Sequence, residues 1–425
     1  MNISTKNRGQ KVDIQDPQAL TPFMGVRNFS TKDLELFTPH LDEAFQRVTD
    51  ELPEEGFYFL NIQNLQKRVQ LLQKMFLSEA EGRRIAYAVK ANPQRKILEI
   101  LHQAGVNSFD CASMGEIEEV LSTVDEKKVE VLFNHPIKKE RDIRNAVRMG
   151  VRHFTVQTRR EIEKVLLNCE SIRPDELEIV VRLDTPTQHD GINLSEKFGA
   201  STEDVRSMIR MIKALGANPG LSIHTGSQNT DPGIFVEGIS KMMDMAREVG
   251  GVSTINIGGG LPANIHQHDR FDLEHYLGAI SNAIRASIEG VFSGLPNIII
   301  EPGRGMVAEA ADALIPILSV EERRGEKVMY IDDGIFTSFS DLIIHRWKYP
   351  FRGWKKNGAP LSDSRIPYRV FGRTCDSGDA LGIIDLPEDL QEGDYLHIPT
   401  AGAYLSSQSS EFNGFKPHRY AYYNH

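Results

Sequence analysis

"RRIAYAVKANPQ", residues 83–94, holds an apolar run from Ile85 to Val89 that stops at Lys90 and is closed by the turn residues Asn92 and Pro93. A run this short, with hardly a polar interruption, reads as a strand buried on both faces. The same signature returns along the chain. It is seen in "FYFLN" (57–61), "VNSFDCAS" (106–113), "VEVLFNHP" (129–136), "HFTVQT" (153–158), "LEIVVRLD" (177–184), "GLSIHTGS" (220–227), "TINIGGG" (254–260) and "NIIIEPG" (297–303). Helical periodicity fills most of the gaps, as in "QNLQKRVQLLQKMFLSEAE" (63–81), "GEIEEVLSTV" (115–124), "KERDIRNAVRMG" (139–150), "RREIEKVLLNCE" (159–170) and "TEDVRSMIRMIKALG" (202–216).

Apolar strands alternating with helices describe a parallel sheet covered by helices, and about eight such units close a barrel. An open doubly wound sheet shares this periodicity and stays open as the alternative. Beyond about residue 310 the texture changes. "DALIPILSVEERRGEKVMYIDDGIF" (312–336), "YRVFGRTCDSGDAL" (368–381) and "GDYLHIPTAGAY" (393–404) are β-rich with little helix. The expected organisation is an N-terminal segment 1–56, partly flexible and partly joining the β domain, an α/β barrel over 57–310, and a C-terminal β domain over 311–425.

Bulk properties exclude several classes. The chain is 425 residues, 40% hydrophobic and 25% charged, which is ordinary globular composition. A net charge of −10 argues against a nucleic-acid binder, which needs a basic field. Cys111, Cys169 and Cys375 are too few and scattered for a disulfide framework. "MNISTKNRGQKVDIQDPQ" (1–18) lacks the apolar centre of a secretory signal, and no apolar run approaches the ~20 residues of a spanning helix. The expectation is a soluble, cytoplasmic protein with neither nucleic acid nor membrane as partner.

Chemistry belongs where parallel strands end, because those loops converge on one face. The strand ends here carry Lys90, Asp110, Asn134 with His135, Arg182, His224 with Ser227, Gly258 to Gly260, and Glu301 with Arg304. Neighbouring cations are expected to lower the Lys90 pKa and free its amine as a nucleophile. The glycine triplet offers backbone N–H groups suited to a phosphate. "HQHDRFDLEHY" (266–276) brings together His266, His268 and His275, but no completing ligand set is present; a solvated loop and no metal are expected.

Taken together, "YAVKANP", "FDCASMGEI", "HTGSQ", "GGG", "EPGR", "CDSGD" and "EFNGF", in this order between about Phe57 and Phe415, resemble the fold-type-III pyridoxal-phosphate decarboxylases. This is the family of ornithine and diaminopimelate decarboxylases. The resemblance implies a TIM-like (β/α)8 barrel followed by a β domain, sandwich or barrel, like that of alanine racemase. It implies that pyridoxal 5'-phosphate is linked covalently to Lys90 and that its phosphate is held by Gly258, Gly259, Gly260, Ser227, Arg304 and Tyr404. Glu301 would keep the pyridine nitrogen protonated so that the ring accepts an electron pair. His224 would stack on the ring, and Asp110 and Arg182 would arrange the lysine and the ring substituents. The family also implies a homodimer with shared sites. In it Cys375 of the partner would return a proton to Cα, and Asp376 would bind the distal amine of the substrate.

The substrate implied is a basic amino acid, of the ornithine or lysine type. Diaminopimelate decarboxylases place an arginine where this chain has Ser340, and usually a Glu where it has Asp376. Ornithine decarboxylases supply an acid where this chain has His345; Asp341 is a candidate substitute. Arg346 and Lys348 follow, and Arg373 stands where relatives commonly have proline. Diaminopimelate, a D-amino acid or an acylated diamino acid are therefore alternatives. A catalytically silent binding homologue and a racemase are competing classes, the racemase disfavoured by an acid at the pyridine nitrogen.

Overall fold

The computed structural model describes residues 41–51, 54–77, 82–185, 197–264, 272–288 and 296–423. Two compact units emerge. Among the described residues, one comprises those of Phe59–Asp312 with Thr400–Ser407 and 421–423; the other comprises those up to Tyr58 with Ala313–Pro399 and Gln408–Tyr420.

The first strand, β1 (Phe57–Asn61), is not a barrel stave. The staves are β2 (Arg83–Ala88), β3 (Ser108–Cys111), β4 (Glu130–Phe133), β5 (His153–Val156), β6 (Glu178–Arg182), β7 (Asn218–Ser222), β8 (Thr254–Asn256) and β9 (Asn297–Ile300). They pair in parallel in chain order, and β9 returns to β2, closing the barrel. Closure decides against the open sheet. Tyr87, Phe109, Phe154, Ile179, Val180 and Val181 are fully buried, as expected of strands covered on both faces. Ala86 of β2, Leu132 of β4 and Ile299 of β9 pack together in the core.

Side-chain caps start several of the connecting helices. In "CASMGE" the Ser113 Oγ accepts from the Glu116 N–H at 3.3 Å, and a Glu116 carboxylate oxygen accepts from the Ala112 N–H at 2.6 Å. The Ser113 cap and the Glu116 bond to the residue before it fix the chain just past Asp110. Thr158 and Ser201 cap the helices Arg159–Asn168 and Thr202–Ala214 in the same way.

The β unit is one mixed sheet. Its strands are β10 (Ala311–Arg323), β11 (Glu326–Ile331), β12 (Arg352–Trp354), β13 (Arg365–Phe371), β14 (Ala380–Pro387), β15 (Tyr395–Ile398) and β16 (Arg419–Tyr423). The order is β12-β15-β10-β11-β13-β14, with β1 paired to β10 and β16 paired in turn to β1. Within this unit Asp333 is buried, accepts from the Gly334 and Ser338 N–H groups at 2.7 and 2.9 Å, and meets His418 at 3.2 Å. No described helix is long and apolar enough to cross a membrane.

At the N-terminal end of the barrel, register places His153 beside Glu178, and their side chains meet at 2.9 Å; Thr254 donates to the same carboxylate. Burial alone raises the Glu178 pKa, but the bonds from His153 and Thr254 prevail and hold it at about 2. Because the folded value lies below the ordinary ~4.3, this contribution is complete above that pH and disappears as pH falls through about 2. Glu178→Gln should therefore destabilise the protein by about 2–3 kcal/mol near neutral pH. Urea unfolding followed across pH should show the penalty shrinking from about pH 4 downward; a pH-independent penalty would contradict the assignment.

Candidate active site

The C-terminal ends of the staves bring Lys90, Asp110, Arg182, His224, Ser227, Gly258, Gly259, Gly260, Glu301 and Arg304 into one unit with Tyr404 from Thr400–Ser407. Lys90 sits one step past β2, in a short 3-10 turn, Val89–Ala91. Its Nζ lies 3.4 Å from Asp110 Oδ2, and 41% of its side-chain surface is open to solvent. Asp110 is buried at the end of β3, whose register with β2 pairs it with Ala88. The expectation of a lowered Lys90 pKa is corrected here. The Asp110 carboxylate raises it, and this exceeds the lowering by burial and by Arg182.

The glycine triplet is built for backbone contact. Gly258 and Gly260 have φ of +73° and +106°, a region that favours glycine. A Cβ at Gly258, Gly259 or Gly260 would fall 2.3, 2.6 or 2.8 Å from a carbonyl oxygen, those of Ile223, Glu301 and Gly226 respectively. The Gly258 N–H is already given to Asn256 Oδ1 at 2.9 Å. Those of Gly259 and Gly260 meet no acceptor among the described residues. Arg304 Nε stands 3.5 Å from Ser227 Oγ, and its guanidinium lies over the Tyr404 ring at 4.6 Å. Tyr404 has φ of +70°, and its N–H is anchored on the Ala91 carbonyl at 2.8 Å. A left-handed tyrosine persists only where its surroundings fix it. Two N–H donors, a hydroxyl, a phenol and a guanidinium suit a phosphate.

The ring would lie between His224 and Glu301. The His224 Nδ1 accepts from the Gly226 N–H at 3.2 Å. Burial, reinforced by Arg182 and Lys90, pushes its pKa well below the ordinary value, so the imidazole is neutral. Glu301, 7% exposed, is pushed up to about 7 by burial and by Asp110, against the pull of Lys90, Asn256 and Arg182. A carboxyl poised there matches a ring nitrogen that must hold a proton. Arg182 lies over the Phe198 ring at 5.3 Å, and burial lowers its pKa. The residues present fit pyridoxal phosphate.

Cys375, Asp376, Asp341, His345 and Ser340 lie in the β unit. Asp379, 2% exposed, accepts from the Ile335 and Thr374 N–H groups at 2.7 and 3.0 Å and presses against Gly334 and Gly372. The Asn413 side chain, in the left-handed "FNG" turn, accepts from the Cys375 N–H at 3.1 Å. These bonds join "CDSGD" to "EFNGF" and leave Cys375 and Asp376 exposed. Arg373 donates its backbone N–H to the Asp333 carbonyl at 2.9 Å, a bond a proline cannot make. Its side chain donates to the Lys416 carbonyl at 2.8 Å and covers the Phe415 ring. Asp341 is 2% exposed and faces His345 at 3.8 Å, while Ser340 donates to Gln408 at 3.1 Å.

Sequence reasoning gave no role to Asn134, Thr155 or Asn256, all of which cluster behind Glu301. Their one sequence signal is position, an amide or hydroxyl at or beside a strand end. Among the described residues no group of acids, cysteines and histidines forms a metal site; His266 and His268 lie outside the described residues.

The family model for "Pyridoxal-dependent decarboxylase, pyridoxal binding domain" matches residues 62–308. The chain is 30% identical over 355 residues to ornithine decarboxylase of Schizosaccharomyces pombe, covering 79% of this chain and 77% of that protein. It is 29% identical over 398 residues to antizyme inhibitor 2 of Xenopus laevis, covering 88% of this chain and 82% of that one. The structure superposes on lysine/ornithine decarboxylase of Vibrio vulnificus complexed with cadaverine with a TM-score of 0.78 and 29% identity, covering 92% of this chain and all of the other. With the family model spanning more than half of its length, the chain belongs to the fold-type-III, pyridoxal-phosphate-dependent amino-acid decarboxylases.

Proposed function

We propose that this enzyme removes the α-carboxylate of a basic amino acid with a plain distal amine, of the ornithine or lysine type, and works as a cytoplasmic homodimer with shared sites. The observation carrying this reading is the pairing of Lys90 with Asp110 in the same barrel mouth as the buried Glu301. Pyridoxal phosphate, when bound, supplies the electron sink for the pair left on Cα as carbon dioxide departs.

The chain's own residues divide the remaining tasks. Lys90 must lose a proton to act as an amine, and Asp110 Oδ2 at 3.4 Å is placed to take it. Gly259, Gly260, Ser227, Arg304 and Tyr404 anchor the phosphate. Neutral His224 covers the ring face without adding positive charge against it. Glu301 holds a proton on the ring nitrogen.

Cys375, on an exposed loop held out by Asp379 and Asn413, is the acid that returns a proton to Cα; water then reprotonates the thiolate. We assign this loop to the partner's site, which makes the dimer the working form. Three free cysteines, two of them buried, fit a reducing compartment. Asp376 is the exposed acid on that loop and receives the distal ammonium. Asp341 is turned into its own unit toward His345. Likeness to ornithine decarboxylase and to lysine/ornithine decarboxylase supports a basic substrate.

Lys90→Ala should abolish the near-visible absorption of the amine-linked cofactor; a purified variant with the unchanged spectrum removes Lys90 from this role. Glu301→Gln should keep cofactor but lower kcat by on the order of 10²–10³-fold, as loss of one preorganised electrostatic group does.

Cys375→Ala should retain cofactor, lose roughly 10²–10⁴-fold in amine formation and divert product towards aldehyde. A normal amine yield from that variant excludes the thiol as the proton donor.

Carbon dioxide release should be greatest with L-ornithine or L-lysine when these are screened beside their D-forms, arginine, diaminopimelate and acylated diamines. Asp376→Asn should raise KM for the preferred substrate about tenfold or more, through loss of a charge-assisted bond. Preference for diaminopimelate or an acylated diamine overturns the assignment of the distal amine.

A further inference from the structure

We propose that Asn134 and Asn256 form a two-amide clamp on one oxygen of Glu301, and so act as positioning residues that aim its second oxygen at the ring nitrogen of the cofactor. The inference rests on the reading of Glu301 given above and assigns work to residues outside the glycine cradle.

Both amides donate to the same atom. Asn256 Nδ2 lies 2.5 Å from Glu301 Oε1, and Asn134 Nδ2 donates to that oxygen as well. Both side-chain bonds to this carboxylate among the described residues fall on Oε1 and leave Oε2 to face elsewhere. Each amide is held the right way round from its other end. Asn134 Oδ1 accepts from Thr155 Oγ1 at 2.7 Å, and Asn256 Oδ1 accepts from the Gly258 N–H at 2.9 Å. Flipping Asn256 would set oxygen against the Glu301 carboxylate and NH2 against the Gly258 N–H, losing two bonds at once, and flipping Asn134 would set its oxygen against the same carboxylate. The backbone is fixed too, since the Glu301 N–H donates to the Gly258 carbonyl at 2.9 Å. Lys138 Nζ donates to the His135 carbonyl at 2.8 Å and to the Thr155 carbonyl, tying together the strand ends that carry Asn134 and Thr155.

The chemistry follows from what an amide can and cannot do. It donates to an anion yet has no proton to release in the working pH range. Two such donors favour the ionised carboxylate and oppose the rise that burial imposes. A proton shared between Glu301 and a ring nitrogen is then weighted toward the nitrogen, which strengthens the electron sink. An aspartate in either place would instead add like charge beside Glu301.

The test compares binding of pyridoxal phosphate with that of its 1-deaza analogue, in which CH replaces the ring nitrogen, by titrating the full chain with each. The wild type should prefer pyridoxal phosphate. In Asn134→Ala and in Asn256→Ala that preference should shrink about tenfold, the scale of one hydrogen bond to a charged group. If the amides merely support the fold, both ligands weaken equally and the ratio stays fixed, which overturns the clamp. Thr155→Val keeps both amides and removes only the bond that orients Asn134; it should give a smaller loss of preference, and an unchanged ratio counts against the clamp even if the alanine variants fail to fold. A wild type without any preference refutes the pairing of Glu301 with the ring nitrogen itself, so the two failures are distinct.

Discussion

A carboxylate taken out of water must be hydrogen-bonded or neutralised, or it costs several kcal/mol. Glu301 is the place where this fold accepts that constraint. Its side chain is buried at the end of β9, with Asn134 and Asn256 on one oxygen and Lys90 and Arg182 near enough to offset part of the burial. The pairings around it then follow from closure. A barrel whose staves run in order places the ends of β4, β8 and β9 on one rim, where three residues far apart in sequence share one hydrogen-bond centre. An open sheet offers no such ring of strand ends, so the carboxylate's solvation depends on the same topology that positions the lysine.

The glycine triplet is part of this arrangement as well as the proposed phosphate cradle. Gly258 gives its N–H to Asn256 and its carbonyl to the Glu301 backbone, so its φ of +73° serves the carboxylate. Gly259 and Gly260 keep their N–H groups for a ligand. One turn thus separates two opposite electrostatic tasks, holding an anion of the protein on one side and receiving an anion of the cofactor on the other. Substituting the first glycine would therefore disturb the ring nitrogen's partner before it disturbed the phosphate, because its Cβ would meet the Ile223 carbonyl at 2.3 Å.

Most of the architecture was legible because its signals are local. Short apolar runs between amphipathic segments marked the eight staves. β1 escaped, since "FYFLN" has the same apolar texture whether it lines a barrel or joins a mixed sheet, and pairing partners are not written in the strand itself. The residues proposed to face the cofactor stand at strand ends or in short motifs, where the sequence displays them. Thr155 and Asn256 are not displayed in this way, because each is an ordinary polar residue whose meaning comes only from a neighbour across the barrel. The same limit hid the reason for Arg373. Its backbone bond to Asp333 and its cover over Phe415 join segments that sequence order keeps apart.

The Lys90 charge shows how such a limit alters chemistry as well as location. Counting nearby cations pointed to a lowered pKa, yet the nearest partner in register is an acid, and at 3.4 Å Asp110 outweighs Arg182 and burial together. A lysine left at its most nucleophilic would react with any aldehyde that reached the mouth. Paired with Asp110 it is held as an ammonium.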